Sequence, residues 1–156
     1  MNVRARFAIR RDNENIVLLD EKVNEWRCWS LDNYEEFVCG RNQILLVAVC
    51  GYDDTVKGVL AYISPAEQDD PGQIEVVRLV ADCTEAYDCL LARIFGRLGG
   101  RITSIQFAVS EFDSAMHQRL RLSQFQAVGV IRGQEEGCED SYLFEYQVPM
   151  CEIVGV

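Results

Sequence analysis

The apolar and polar positions at the start of the chain change their period twice. Apolar and basic residues alternate over residues 3–10, the pattern of a half-buried β-strand. The next apolar residues recur at steps of three and four: Ile16, Leu19, Val23 and Trp26. This spacing predicts an amphipathic helix that begins near Asn13. A second, short helix is predicted through Val38, with Ser30 as its N-cap and Gly40 as its end.

The rest of the chain is predicted to form mainly strands, with two more helices. Residues 44–50 form an apolar run that is too short for a buried helix and rich in strand formers. In chain order, the remaining predictions are a turn (51–54), a strand (56–64), a loop (65–73), a strand (74–81), a helix that Thr84 caps and Gly99-Gly100 end, a strand (101–109), a helix (113–122) and two strands (125–132 and 141–148). The order β-α-α-β-β-β-α-β-α-β-β predicts an α/β fold, a mixed sheet with helices packed on both faces.

Length and composition fit one folded domain. The chain has 156 residues, of which 49% are hydrophobic and 26% charged, so we expect a single domain over residues 1–148 and a C-terminal tail over residues 149–156. The longest apolar run is far shorter than the roughly 20 residues of a membrane span. Residues 1–11 alternate arginine with apolar residues, unlike a signal peptide. We therefore expect a cytoplasmic protein without a membrane partner.

The charge pattern narrows the choice of ligands. A net charge of −10 argues against a nucleic-acid binder and favours a basic substrate. Residues 90–133 differ from the rest, because they contain six arginines and only two acidic residues, Glu111 and Asp113. The local charge is therefore +4, which leaves −14 for the rest of the chain. An anionic ligand is expected on that segment. The alternative is that these arginines line solvated helix faces.

The cysteines do not form a recognisable metal or disulfide pattern. There are seven, and none belongs to a Cys-x-x-Cys pair: Cys28, Cys39, Cys50, Cys83, Cys89, Cys138 and Cys151. An odd number cannot all pair within one chain, and His117 is the only histidine, which argues against a zinc site. We expect reduced and mostly buried thiols, with chemistry at Cys83 or Cys89 as an alternative.

Three segments in this order resemble the GNAT superfamily of N-acetyltransferases. Residues 7–14, followed by Ile16 and Leu19, are similar to the family's opening strand and helix. Residues 75–81 (EVVRLVA) are similar to its central strand, and residues 115–129 to its closing helix and following strand. The resemblance implies the GNAT fold and transfer of an acetyl or acyl group from acetyl-CoA, or another acyl-CoA, to an amine of a small molecule or basic peptide.

The resemblance also implies where acyl-CoA binds. The pantetheine arm is expected along Leu79, Val80 and Ala81, and the pyrophosphate at the next helix N-terminus, where N–H groups favour an anion. The residues expected near the pyrophosphate are Thr84, Glu85 and Ala86. The family's loop of glycines and arginine is missing, since residues 82–88 contain neither and carry three acidic residues. Compensating cations are sought among Arg93, Arg97 and Arg119, with Arg119 the candidate for cofactor binding.

The catalytic candidates are Glu75 and His117. Many family members use a tyrosine on the last helix as general acid, but this position falls on Leu120, or on Arg119 after a shift of one residue. His117 on the same helix carries an imidazole suited to acid–base work. The family sometimes places a carboxylate on the central strand, and the resemblance makes Glu75 the candidate base. Since Glu75 alternates with apolar Ile74 and Val76, an ordinary solvent-facing strand residue is the alternative. Because the loop and the tyrosine are missing, a catalytically inactive binding or regulatory module remains an alternative, with a homodimer as one option.

Overall fold

The computed structural model describes residues 2–69, 71–133 and 138–149. The strands in these residues are β1 (Val3–Phe7), β2 (Gln43–Cys50), β3 (Val56–Ile63), β4 (Gly72–Ala81), β5 (Ile102–Ser110), β6 (Gln126–Ile131) and β7 (Ser141–Gln147). The α-helices in the same residues are α1 (Asn13–Asn24), α2 (Leu31–Cys39), α3 (Thr84–Phe95) and α4 (Ser114–Leu122). Two 3₁₀ turns, Arg10–Asp12 and Glu25–Arg27, flank α1. The predicted order of strands and α-helices is confirmed.

The strands form a mixed sheet in the order β1-β2-β3-β4-β5-β7-β6. The pair β4 and β5 is parallel, whereas β1 with β2, β2 with β3, β5 with β7 and β6 with β7 are antiparallel. The described residues form two compact units, to which β4 contributes separate halves. The first unit holds the described residues up to Ser64 and Val77–Arg97, and the second holds those between Pro65 and Val76 and those from Leu98 onward. A single domain over residues 1–148 stays a prediction, and the predicted tail lies outside the described residues except for Pro149.

The first unit carries helices on both faces of its strands. Alternate residues of β2, Leu45, Val47 and Val49, pack in one buried cluster with α1 and α2. On the other face, Gly58 of β3 lies against α3, where an added Cβ atom would come 2.9 Å from Leu90 Cδ1. The expectation of helices on both faces is therefore confirmed for this unit.

Two helix ends differ from the predictions. The first helix stops at Asn24 because Glu25 adopts a positive φ of 54°, so Trp26 leaves the apolar face and is 80% exposed. The third helix ends at Phe95 rather than at Gly99-Gly100. Gly99 and Gly100 instead form a turn before β5, with φ values of +128° and +58° that glycine adopts readily.

The second unit combines the first half of β4 with β5, β7, β6 and α4. Phe107 of β5 packs edge-on against Phe125, with ring centroids 5.2 Å apart. Asp113 caps α4 by accepting a hydrogen bond from the Met116 N–H at 3.2 Å. Across the described residues, no helix combines the length and the apolar character that crossing a bilayer requires.

Candidate functional site

The second half of β4 carries the residues expected along the pantetheine arm. The register between β4 and β5 runs from Gly72 to Val76, so Leu79, Val80 and Ala81 lie beyond its end. The Asp82 N–H donates to the Lys57 carbonyl at 3.0 Å, which places the Asp82 peptide on the β3 side. The backbone N–H and C=O groups of successive residues point to opposite sides of a strand. Those of Val80 therefore point toward β3, like the Asp82 N–H, whereas those of Leu79 and Ala81 point away from β3.

The connection from β4 to α3 ends in a helix N-terminus without a side-chain cap. Cys83 occupies the N-cap position in an extended conformation and makes no capping bond through its side chain. The first helical bond runs from the Tyr87 N–H to the Cys83 carbonyl at 3.2 Å. The N–H groups of Thr84, Glu85 and Ala86 precede it and are the donors that a helix leaves without an intrahelical partner.

A lysine from α1 lies beside this connection. The Lys22 Nζ is 3.2 Å from the Asp82 carboxylate. Both side chains line a cavity of about 400 Å³ together with Lys57 of β3. One of the three acidic residues that weaken the predicted phosphate site is therefore paired with a cation. Sequence reasoning missed this contact because 60 residues separate the two partners.

Three of the six arginines of residues 90–133 bind separate structural partners. Arg93 donates to the Ala5 carbonyl at 2.9 Å, and Arg101 donates to the Ala66 carbonyl at 2.7 Å. Arg132 pairs with Asp140 at 3.0 Å. Since residues up to 97 belong to the first unit and later ones to the second, the segment does not form one basic surface within either unit. Arg119, the candidate for cofactor binding, is half-buried on α4 in the second unit.

Glu75 lies on an open row of polar side chains in the second unit. It is exposed on β4 and lies directly opposite Gln106 of β5. Gln106 in turn lies opposite Glu145 of β7, whose carboxylate accepts a hydrogen bond from Gln147. Sequence reasoning missed Glu145, although it alternates with Phe144 and Tyr146 just as Glu75 alternates with Ile74 and Val76.

His117 lies on the other face of the same strands. Its Nε2 atom is 2.8 Å from the Ser110 carbonyl, and its ring packs against Tyr142 and Phe144 at centroid distances of 5.2 and 5.3 Å. Tyr142 and Phe144 alternate with Glu145 along β7, so they face away from the row that contains Glu75. The structure therefore does not bring the two catalytic candidates together. Leu120, at the expected tyrosine position, is fully buried.

A buried ion pair fixes the segment between α1 and α2 against β4. Asp20, fully buried on α1, accepts hydrogen bonds from Arg78 at 2.5 and 3.0 Å and from the Tyr34 hydroxyl at 2.6 Å. The Trp29 N–H also donates to Asp20, and the Trp29 ring centroid lies 5.4 Å from the Arg78 guanidinium carbon. The sequence signal for this network was Arg78 itself, a charge within the apolar stretch that precedes Leu79.

The charges in this network shift the pKa values of its members. Burial alone would raise the pKa of Asp20, but the hydrogen bonds from Arg78, Asn24 and Tyr34 outweigh it and hold that pKa below its usual range. Burial and the adjacent Asp20 carboxylate raise the pKa of Tyr34. The network is therefore held as an ionised pair with a neutral tyrosine.

The expectation of mostly buried cysteines is wrong. Among the six cysteines in the described residues, only Cys50 is buried, while Cys39 and Cys138 are exposed. Burial raises the pKa of the Cys89 thiol, which lies 3.7 Å from the Val3 carbonyl, so the thiolate is disfavoured there. Cys151 lies outside the described residues. Within those residues, no group of three or more histidine, cysteine or acidic side chains is arranged to hold a metal ion.

Comparisons with known proteins find similarity in structure only. No protein-family model matches the sequence, and no curated protein matches it. Among solved structures, NAA60 of Arabidopsis thaliana in complex with a bisubstrate analogue superposes with a TM-score of 0.75 at 14% identity, over 94% of this chain and 98% of that one. The same enzyme in complex with acetyl-CoA gives a TM-score of 0.72 at 14% identity, over 94% and 99% of the chains. The ribosomal-protein-S18-alanine N-acetyltransferase of Escherichia coli gives a TM-score of 0.71 at 11% identity, over 96% of each chain.

These likenesses cover almost the whole chain and agree with the predicted order of elements. At 11–14% identity they establish the architecture and not the chemistry. The resemblance on which the sequence predictions rest is therefore confirmed for the fold: this chain has the fold of the GNAT N-acetyltransferases.

Proposed function

We propose that this protein is an acyl-CoA-dependent N-acyltransferase, which transfers an acetyl or other acyl group to the amine of a small molecule or basic peptide. The observation that carries the proposal is the end of β4. Leu79–Ala81 lie beyond the β5 register, and an uncapped helix N-terminus follows after two residues. The likeness to an N-acetyltransferase solved with acetyl-CoA supports this choice of co-substrate.

The residues at this end of β4 have the groups that acyl-CoA requires. Leu79 and Ala81 offer peptide N–H and C=O groups for the amides of the pantetheine arm, because these groups point away from β3. The N–H groups of Thr84, Glu85 and Ala86 offer donors to a phosphate, which the helix dipole also favours. Within the proposed set, Val80 contributes its buried side chain rather than a free peptide group.

Lys22 partly offsets the loss of the Gly/Arg loop at the proposed pyrophosphate site. Its pairing with Asp82 reduces the negative potential at the start of α3, where Glu85 and Asp88 remain exposed. Arg119 keeps its proposed role as a cation for the cofactor, to be tested by substitution. The contact between Lys22 and Asp82 thus supplies part of the compensating positive charge that the sequence analysis sought among arginines.

Glu75 is proposed as the general base. Its exposed carboxylate takes a proton from the acceptor's ammonium group, directly or through water. The neutral nitrogen then forms the C–N bond as the C–S bond of the thioester breaks, and CoA leaves as the thiolate, which takes up a proton. The contacts of His117 favour a packing role, because Nε2 is bonded to Ser110 and an acid role would fall on Nδ1 alone. We therefore retain Glu75 rather than His117 for the proton transfer.

The proposal is tested by CoA release from acetyl-CoA in the presence of a panel of primary amines and lysine-rich peptides. We expect amine-dependent release, and we expect Glu75→Gln to lower kcat by about 10²–10⁴-fold with an unchanged melting temperature, since general-base catalysis typically contributes that factor. Glu36→Gln, at an exposed position on α2, is the matched control and should retain full activity. Wild-type protein that releases no CoA with any amine contradicts the activity, and an active Glu75→Gln variant contradicts the role of Glu75.

A further inference from the structure

The only two lysines of the chain line the same cavity. Lys22 of α1 and Lys57 of β3 both contribute to the cavity of about 400 Å³ that α1 forms with the turn between β2 and β3. Every residue of its lining belongs to the first unit. A cavity of this volume lies within the range of small-molecule sites.

Asp82 connects this cavity to the proposed phosphate site. It lines the cavity and directly precedes Cys83, the N-cap of α3. Both lysines contact it, since the Lys22 Nζ is 3.2 Å from its carboxylate and the Lys57 carbonyl accepts its N–H at 3.0 Å. The cavity therefore borders the helix N-terminus whose N–H groups are proposed to bind the pyrophosphate of CoA.

The acidic side chains of the lining do not neutralise both lysines. Each of the three aspartates has a donor within 3.2 Å: Asp53 has the Thr55 N–H, Asp54 has Arg4, and Asp82 has Lys22. Lys57, in contrast, makes no ion pair with any of the described residues. Its ammonium group is therefore a cation that a bound anion can still neutralise.

The rest of the lining fits a nucleoside. Leu18, Leu19 and Val56 are its apolar side chains, and Leu18 is 62% exposed, which leaves apolar surface for a base to cover. Asp53 and Asp54 lie at the other side of the cavity, on the turn. Because carboxylates only accept hydrogen bonds, they fit the amino group of adenine or the hydroxyl groups of a ribose.

We propose that this cavity binds the 3′-phosphoadenosine end of CoA, with the 3′-phosphate on Lys57 and Lys22. This choice of ligand rests on the proposed function. In CoA the diphosphate and the 3′-phosphate are attached to the same ribose, so a ligand with its diphosphate at the start of α3 can place the 3′-phosphate in the adjacent cavity. Lysine binds phosphate through charge-assisted hydrogen bonds, which are stronger than neutral ones.

Calorimetric titration compares CoA with 3′-dephospho-CoA, which lacks only the 3′-phosphate. We expect the wild-type protein to bind CoA about fivefold more tightly or better, because of the charge-assisted hydrogen bonds to the lysines. Lys57→Gln should remove most of this difference by weakening CoA binding, while 3′-dephospho-CoA binds as before. Arg41→Gln is the matched control: it removes an exposed cation near the start of β2, away from the turn at the end of that strand, and should bind both ligands as the wild-type protein does.

The small number of lysines allows a second, direct readout. Reductive methylation with ¹³C-formaldehyde keeps the charge of a lysine and gives one NMR signal for each of the two side chains. Lys57→Gln assigns these signals. We expect adenosine 3′,5′-bisphosphate, which lacks the pantetheine arm, to shift both lysine signals, whereas adenosine leaves them nearly unchanged.

Absence of binding, equal affinity of the wild-type protein for CoA and 3′-dephospho-CoA, an equal loss of both in Lys57→Gln, or lysine signals that adenosine 3′,5′-bisphosphate does not shift each overturns the proposal. These results are distinguishable from failure of the proposed function. Amine-dependent CoA release together with equal affinities rejects the cavity alone. Discrimination by Lys57 and shifted lysine signals without any CoA release reject the activity alone.

Discussion

At the scale of single residues, we expect the stability of the first unit to depend on its buried ion pair, Asp20 and Arg78. Taking both charges out of water is unfavourable, and their geometry offsets this only while every partner is present. Asp20 has those partners, since Arg78, Asn24, Tyr34 and the Trp29 backbone all donate to it. Removal of one member leaves a buried charge without compensation, so the pair should be sensitive to mutation and to acid.

We expect Asp20→Asn to lower the free energy of unfolding at pH 7 by about 3–5 kcal/mol, the usual effect of breaking a buried ion pair. The measurement is urea unfolding, and Asp32→Asn, at an exposed position on α2, should change the result by less than about 0.5 kcal/mol. A loss below about 1 kcal/mol for Asp20→Asn would show that the pair is not held as the structure describes.

The pH dependence of stability follows from the lowered pKa of Asp20. A carboxyl group whose pKa is lower in the folded state stabilises the fold above its unfolded pKa, near 3.8, and this contribution is lost as the pH falls toward the folded value. We expect wild-type stability to decrease below about pH 4 more steeply than that of Asp20→Asn. Parallel pH profiles for the two proteins contradict this assignment.

Local pattern was enough to predict the exposure of some single residues. Glu75 alternates with apolar Ile74 and Val76, and its side chain is exposed as that pattern predicts, whereas its role as the base comes from the family resemblance and stays a prediction. The partners of charged residues were missed, because Lys22 and Asp82 are 60 positions apart and Asp20 and Arg78 are 58 apart. No local spacing identifies such a pair; only the fold brings its members into contact.

At the scale of elements, periodicity predicted the existence and order of the strands and α-helices better than their ends. Ser30 was recognised as the N-cap of α2, and its side chain indeed accepts from the Asn33 N–H. The end of α1 could not be predicted, because it depends on the positive φ that Glu25 adopts before Trp26. Close packing between elements was equally invisible in the sequence, as Gly58 illustrates.

Gly58 is the position where β3 lies closest to α3. A Cβ atom there would lie 2.9 Å from Leu90 Cδ1 and 3.2 Å from both the Ala86 Cβ and the Val80 carbonyl oxygen. We expect Gly58→Ala to lower the free energy of unfolding by about 1–3 kcal/mol, because overpacking displaces atoms that include backbone. Urea unfolding compares it with Gly129→Ala on β6, where an added Cβ atom meets nothing within 4 Å. If Gly58→Ala is at least as stable as Gly129→Ala, the close approach of α3 to β3 is wrong.

At the scale of the whole molecule, the predicted order of elements and the likeness to solved N-acetyltransferases point to one architecture. The fold was predictable because eleven elements in sequence carry more information than any single motif. The site was less predictable, because the Gly/Arg loop is missing and the cation proposed to compensate for it, Lys22, lies on the distant helix α1. Association of two copies is a separate expectation, which the molar mass in solution tests.

The measurement that tests the central claim is the thermal melt of the protein with acetyl-CoA or CoA, with calorimetric titration to confirm binding. Ligand at 100 times its Kd adds about 2.7 kcal/mol of stability, which raises the melting temperature by about 5–10 °C for a chain of this length. Thr84→Pro tests the proposed phosphate site, because it removes the Thr84 N–H, one proposed phosphate donor, and no other. Proline suits this first helical position, since the preceding Cys83 is extended. Leu31→Pro, at the same position of α2, is its matched control.

We expect the full shift for wild-type protein and Leu31→Pro, and a reduced shift for Thr84→Pro with an unchanged melting temperature in the absence of ligand. An equal shift for Thr84→Pro would place the phosphates elsewhere. No shift of the wild-type protein with millimolar acetyl-CoA or CoA would contradict the proposal that this fold binds acyl-CoA.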